Sequence, residues 1–108
     1  QSVFKFAVRK VPEIITQLLE ENNVSRDEIK YFVLHQANIR IIESVAKRLK
    51  VSIDKFPANM AQYGNTSGGS VPILLDEMNR KGMLKPGDKI VLSGFGAGLT
   101  WGATLVEW

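Results

Sequence analysis

The chain has 108 residues, a formal net charge of +3, and 44% hydrophobic against 23% charged residues, the balance of an ordinary globular protein. With no cysteine and one histidine, disulfides, thiolate zinc sites and a cysteine nucleophile within the chain are excluded, and a histidine-rich metal site has no ligands. Lys, Arg or Glu interrupts every apolar run well short of the roughly 20 residues of a membrane span. Lys5, Arg9 and Lys10 break the first apolar stretch, so no signal peptide is expected and the cytoplasm is the expected compartment.

Read in order, residues 3–23 place Phe4, Ala7, Val8, Val11, Ile14, Ile15, Leu18 and Leu19 at helical steps of three and four. Ser2 is a candidate N-cap. Pro12 removes a donor inside the pattern, which predicts a kink or two abutting helices. SRDE at 25–28 fits a capping box, and KYFVLH at 30–35 reads as a buried strand. Residues 38–51 return to helical spacing, with Ile41, Ile42, Val45, Ala46 and Leu49 inward. A short strand is expected over 56–60, then a glycine-rich turn, then a helix over 71–81 with Pro72 in its first turn. KPGD at 85–88 is a turn signal, and strands over 89–95 and 99–106 flank GFGAG at 94–98. The order α-β-α-β-α-β-β predicts one α/β domain over 1–108: a mostly parallel sheet covered by helices and closed by an antiparallel hairpin. Functional residues of such sheets gather at the carboxyl ends of strands. His35, the turn over 63–70 and the turn over 94–98 all follow strands.

Taken singly, each loop has an ordinary structural reading. A lone histidine ending a strand is more often structural than catalytic, and Asn38 can be a plain N-cap. GNTSGGS at 64–70 opens a helix and could hold an anion, but it lacks the lysine of a P-loop and serves equally as a glycine-rich cap. Asn65 stands out in it, because a carboxamide offers two directed donors and does not titrate near neutral pH. GFGAG superficially resembles a dinucleotide fingerprint. That reading fails, because Leu99 stands where a third glycine is needed and a strand follows instead of a helix. Arg40, Lys47 and Arg48 share a helix face with Glu43 as the nearby acid. This is either a solvated face or a docking surface for an acidic partner, and without interleaved aromatics it is a poor nucleic-acid surface.

Together, HQANIRI at 35–41, GNTSGGSVP at 64–72 and GFGAGLTWG at 94–102 resemble the C-terminal part of 3-oxoacyl-acyl-carrier-protein synthase III. The resemblance runs the length of the chain, and VFKFAV at 3–8 and KPGD fit it as well. It implies a thiolase-like fold of two similar halves, the first strand of the C-terminal half and the whole Cys-bearing N-terminal half lying outside these residues. It also implies a reaction: an acyl group, commonly acetyl, passes from coenzyme A to a cysteine of the first half. Malonyl-acyl-carrier protein then loses carbon dioxide and attacks the acyl-enzyme, the first condensation of type II fatty acid synthesis. No permanently bound cofactor or metal is implied; acyl-coenzyme A and malonyl-acyl-carrier protein are substrates.

Carried over by motif, His35 and Asn65 would polarise the malonyl thioester carbonyl. Phe95, Gly96 and Ala97 would form the oxyanion backbone and pocket, with Ala97 standing where the family usually has glycine. Phe4, Ala37, Asn38 and Ile41 would line the coenzyme A and pantetheine path. Lys5, Arg40, Lys47 and Arg48 would dock the acidic carrier protein. Gly68 and Gly69 replace an alanine common in the family. The partners implied are the carrier protein, the coenzyme A thioester and the absent half, with a homodimer for the intact enzyme and neither nucleic acid nor membrane. Lacking the cysteine, the chain is expected to be inactive alone. The competing reading is a non-catalytic carrier-protein-binding module, which would keep its affinity when Asn65 is Ala and lose it with Arg40→Glu.

Overall fold

Among the described residues, apolar stripes at helical spacing produce three α-helices: α1 (Val3–Glu21), α2 (Ile39–Leu49) and α3 (Ser70–Arg80). Three strands accompany them: β1 (Ile29–Leu34), β2 (Lys89–Gly96) and β3 (Thr100–Glu107). Our computed structural model describes residues 3–34, 39–57, 70–96 and 100–108. α1 is one helix, not two, running through Pro12. An internal proline costs about 3 kcal/mol. Ala7, Val11, Ile15 and Leu19 are all buried along the stripe, and burying a large aliphatic side chain contributes about 1.5–3 kcal/mol, so the stripe outweighs the break.

The sheet order is β1-β2-β3, with β1 parallel and β3 antiparallel to β2. Alternation along the strands gives two cores. One face carries Phe32, Leu34, Val91, Ala103 and Leu105 against α1 and α2. The other carries Val33, Ile90, Leu92 and Val106 against Leu74 and Met78 of α3. Ile29 joins Phe32 on the first face although they are an odd three positions apart. The period of two is broken by a bulge between Ile29 and Tyr31, which face the adjacent residues Lys89 and Ile90. Phe32 stacks on Phe56 with ring centroids 5.0 Å apart and 12° between planes.

Each helix ends the same way. Asn23, Lys50 and Gly82 adopt left-handed φ of 55°, 58° and 72°. Each donates to the carbonyl three residues back (Glu20, Lys47, Asn79). The following residue donates to the carbonyl five back: Val24 to Leu19, Val51 to Ala46, Met83 to Met78. This is the Schellman closure, and Val24, Val51 and Met83 pack on the cores as the motif's apolar contact requires. The Arg26 guanidinium also donates to Leu49 O, the last residue of α2, satisfying a carbonyl that would otherwise lack a partner.

The capping box appears as expected, around the 3₁₀ turn Arg26–Glu28. Ser25 N–H donates to Glu28 Oε2 at 2.8 Å, and Lys89 Nζ reaches Glu28 Oε1 at 3.5 Å. The Ser25 N–H holds the Glu28 carboxyl below its ordinary value of 4.5, and Lys89 adds to this. A depressed folded-state value contributes stability that is full above the unfolded value and lost as pH falls through the folded one. Glu28→Gln should therefore lower the midpoint of urea unfolding at pH 7 and flatten its decline below about pH 4.5. Urea titrations from pH 3 to pH 7 would check this; equal decline in both proteins would count against it.

One expected element is corrected. The strand over 56–60 does not begin at Phe56, because Phe56 N–H donates to Ile53 O at 2.9 Å and closes the 3₁₀ turn Ile53–Lys55. Pro57 has no N–H to start a ladder. Residues 58–60 lie outside the described set, as does Ser2.

Candidate active site

Chain direction determines where the motif-bearing segments attach. α1 ends at Glu21 shortly before β1 begins, and Arg26 reaches the end of α2. The C-termini of both helices therefore lie at the amino edge of the sheet. The starts of α1 and α2 point to the carboxyl edge, where β1 ends at Leu34 beside Ser93 of β2. α3 ends close before β2 begins, so its first residue, Ser70, also faces the carboxyl edge. The three segments that carry HQAN, GNTS and GFGAG thus leave from or return to one edge: after Leu34, before Ser70 and after Gly96.

Of the residues assigned to the site, His35, Ala37, Asn38, Asn65 and Ala97 lie outside the described residues, as do Gly68 and Gly69. Phe95 and Gly96 are the last two residues of β2, paired with Trp101 and Thr100. Phe4 is 37% exposed in the first turn of α1, whereas Ile41, 7% exposed, is packed into the core between α1 and α2. Lys5, Arg40, Lys47 and Arg48 are all at the surface. Arg40 and Lys47 are two turns apart on one face of α2, about 10 Å along the axis. Arg48 turns instead into a groove of about 720 Å³ shared with Pro12, Glu13, Thr16, Gln17 and Glu20 of α1.

Sequence reasoning passed over Ser93. It is buried at 1% exposure and its Oγ donates to Gly102 O at 3.1 Å, tying β2 to β3 near the carboxyl edge. A serine closing the apolar run IVLS was the available signal. Next to it, Gly94 pairs with Gly102, and among the described residues a Cβ at either would meet nothing within 4 Å. Among the described residues no three His, Asp or Glu side chains cluster as metal ligands, and no helix is long and apolar enough to cross a membrane. A cleft of about 390 Å³ lies at the opposite, amino edge, where Lys89 is paired with Glu28 and Lys55 with Asp27 O.

The family model for the C terminal of 3-oxoacyl-[acyl-carrier-protein (ACP)] synthase III matches residues 19–108. The chain belongs to this family. Beta-ketoacyl-[acyl-carrier-protein] synthase III of Clostridium novyi is 59% identical over 108 residues, which is 100% of this chain and 33% of that protein. The synthase III of Pyropia yezoensis is 53% identical over the same length, again 33% of that protein. Among solved structures, 3-oxoacyl-[acyl-carrier-protein] synthase III of Aquifex aeolicus superposes with a TM-score of 0.94 at 42% identity, covering 98% of this chain and 34% of that one. The Thermus thermophilus enzyme gives 0.92 at 40% identity, covering 98% and 33%. The chain thus spans about a third of the length of the synthases it matches, and its α/β fold is their thiolase-like condensing-enzyme fold.

Proposed function

We propose that these 108 residues supply the His/Asn half of a condensing site in a 3-oxoacyl-acyl-carrier-protein synthase III. The observation that carries this reading is the attachment of the HQAN, GNTS and GFGAG segments to one edge of the sheet, in a chain of the synthase III family. His35 and Asn65 act as two neutral N–H donors on the malonyl thioester oxygen. When the malonyl carboxylate leaves as carbon dioxide, its electron pair becomes an enolate, and donors aimed at that oxygen stabilise charge that appears only in the transition state and after it. The carbanion attacks the acyl thioester on a cysteine, whose thiolate departs as the 3-oxoacyl product forms. The backbone over 95–97 holds the oxygen of that second thioester.

The cysteine comes from polypeptide outside this sequence, since the chain has none. The chain by itself therefore does not condense. Acyl-coenzyme A and malonyl-acyl-carrier protein are the substrates, the carrier protein docks on the basic face near Arg40, and the intact enzyme works as a cytoplasmic homodimer. The purified chain mixed with acetyl-coenzyme A and malonyl-acyl-carrier protein should give no 3-oxoacyl product. Adding the remaining two-thirds of the Clostridium novyi synthase should give product. Turnover by the chain alone, or no turnover by a folded complex, would overturn the reading.

A further inference from the structure

α1 is charged against its own dipole. A helix favours acids in its first turn and bases in its last. α1 has no acid in the first turn and no base in the last; Lys5 sits at its start, Glu20 and Glu21 at its end. Helix stability does not account for this order, and neither does pairing along most of the helix. Lys10 meets Glu13 at 3.6 Å, but Arg9 forms no salt bridge among the described residues. Its guanidinium instead lies 6.0 Å from the centre of the Phe6 ring, which keeps the charge extended over the helix surface.

The basic half is also placed where it can be used. Lys5 and Arg9 continue, at helical steps, the line of Glu13, Thr16 and Glu20 that walls the groove between α1 and α2. With 19 residues α1 is about 28 Å long and with 11 residues α2 is about 16 Å. Because their C-termini lie together, the first two turns of α1 extend beyond the start of α2. Arg9 and Lys10 then stand within about one turn beyond Arg40 along the axis. Ile39, 45% exposed, and Phe4, 37% exposed, add apolar surface at the same end. The far end of the groove is mixed in charge, with Glu20 and Arg48 both lining it.

We propose that Arg9, held over Phe6, is a docking residue for the acidic carrier protein, and that the reversal of charge along α1 fixes how that partner lies. The basic half draws the partner toward the carboxyl edge of the sheet; in the rest of the groove Glu13 is paired with Lys10 and Glu20 lies on the same wall as Arg48, so no comparable net positive charge competes for it. Charge arranged in this way acts on encounter and orientation more than on packing. The proposal rests on the synthase reading, which supplies the carrier protein as partner, and adds Arg9 to the residues that reading assigns.

The test titrates the folded 108-residue chain into carrier protein labelled on its phosphopantetheine arm, by fluorescence anisotropy at low and at physiological salt. Arg9→Glu is expected to weaken binding about tenfold at low salt, with the difference shrinking as salt rises. Glu13→Lys is expected to tighten it several-fold. Lys85→Glu, an equal change of charge at the amino edge, should stay within about twofold of the wild type. Equal weakening by Arg9→Glu and Lys85→Glu would mean that net charge alone matters and would overturn the proposal. So would loss of binding with Arg40→Glu but not with Arg9→Glu, which leaves the synthase reading standing. A wild-type chain that binds no carrier protein at all removes the carrier-docking reading itself, and this proposal with it.

Discussion

Asn65→Ala, in the enzyme reassembled from this chain and the rest of a synthase, should lower condensation by about 10²–10³, the usual cost of one preorganised donor to a developing oxyanion. The loss should fall on decarboxylation of the malonyl group. Acylation of the partner cysteine by acetyl-coenzyme A uses neither donor and should continue near its wild-type rate. His35→Ala should behave alike. Because both donors address one oxygen, the double variant should lose much less than the product of the two single losses. Radiolabelled carbon dioxide release, measured beside single-turnover acylation, separates the steps. Equal loss in both would mean that the residue shapes the whole site and does not serve the enolate.

Phe32→Ala should have the largest effect on stability. Phe32 is fully buried, stacks on Phe56, and sits where α1 and α2 close over β1. Removing a buried phenyl ring costs about 3–5 kcal/mol, a large part of the about 5–15 kcal/mol that holds a domain folded. Urea unfolding followed by circular dichroism should show an earlier midpoint, or no native baseline. Phe56→Leu, which keeps apolar volume, should cost less than half as much. A Phe32→Ala midpoint within error of the wild type would show that the surrounding chain collapses into the space.

Much of the fold was legible because local signals agreed with their setting. SRDE announced its box and the structure forms it; the α2 stripe is buried as its spacing required, and in α1 Ala7, Val11, Ile15 and Leu19 are buried while Phe4 at the helix start is exposed. What the sequence hid was non-local or chemically ambiguous. Lys50 gives no hint of a left-handed helix end, since lysine has no turn preference, and only the packing of Val51 on the core explains it. The bulge in β1 is visible only against its register with β2. Phe56 reads as a strand residue by its aromatic type, yet it ends a 3₁₀ turn so that its ring can meet Phe32. For the site, motif resemblance supplied residue identities that spacing alone left open, and the topology supplies the shared edge. Arg9 was passed over because its partner is a ring one turn away, and because the order of charge along α1 carries meaning only once the direction of the helix relative to the sheet is known.

The three Schellman closures all fall at the amino edge, together with the capping box and the Arg26 contact. That end of the molecule is crowded with local fastenings, while the motif segments hang from the other. A substitution in those segments therefore leaves these closures untouched. The amino pole can thus stay fastened whatever side chains the opposite edge carries.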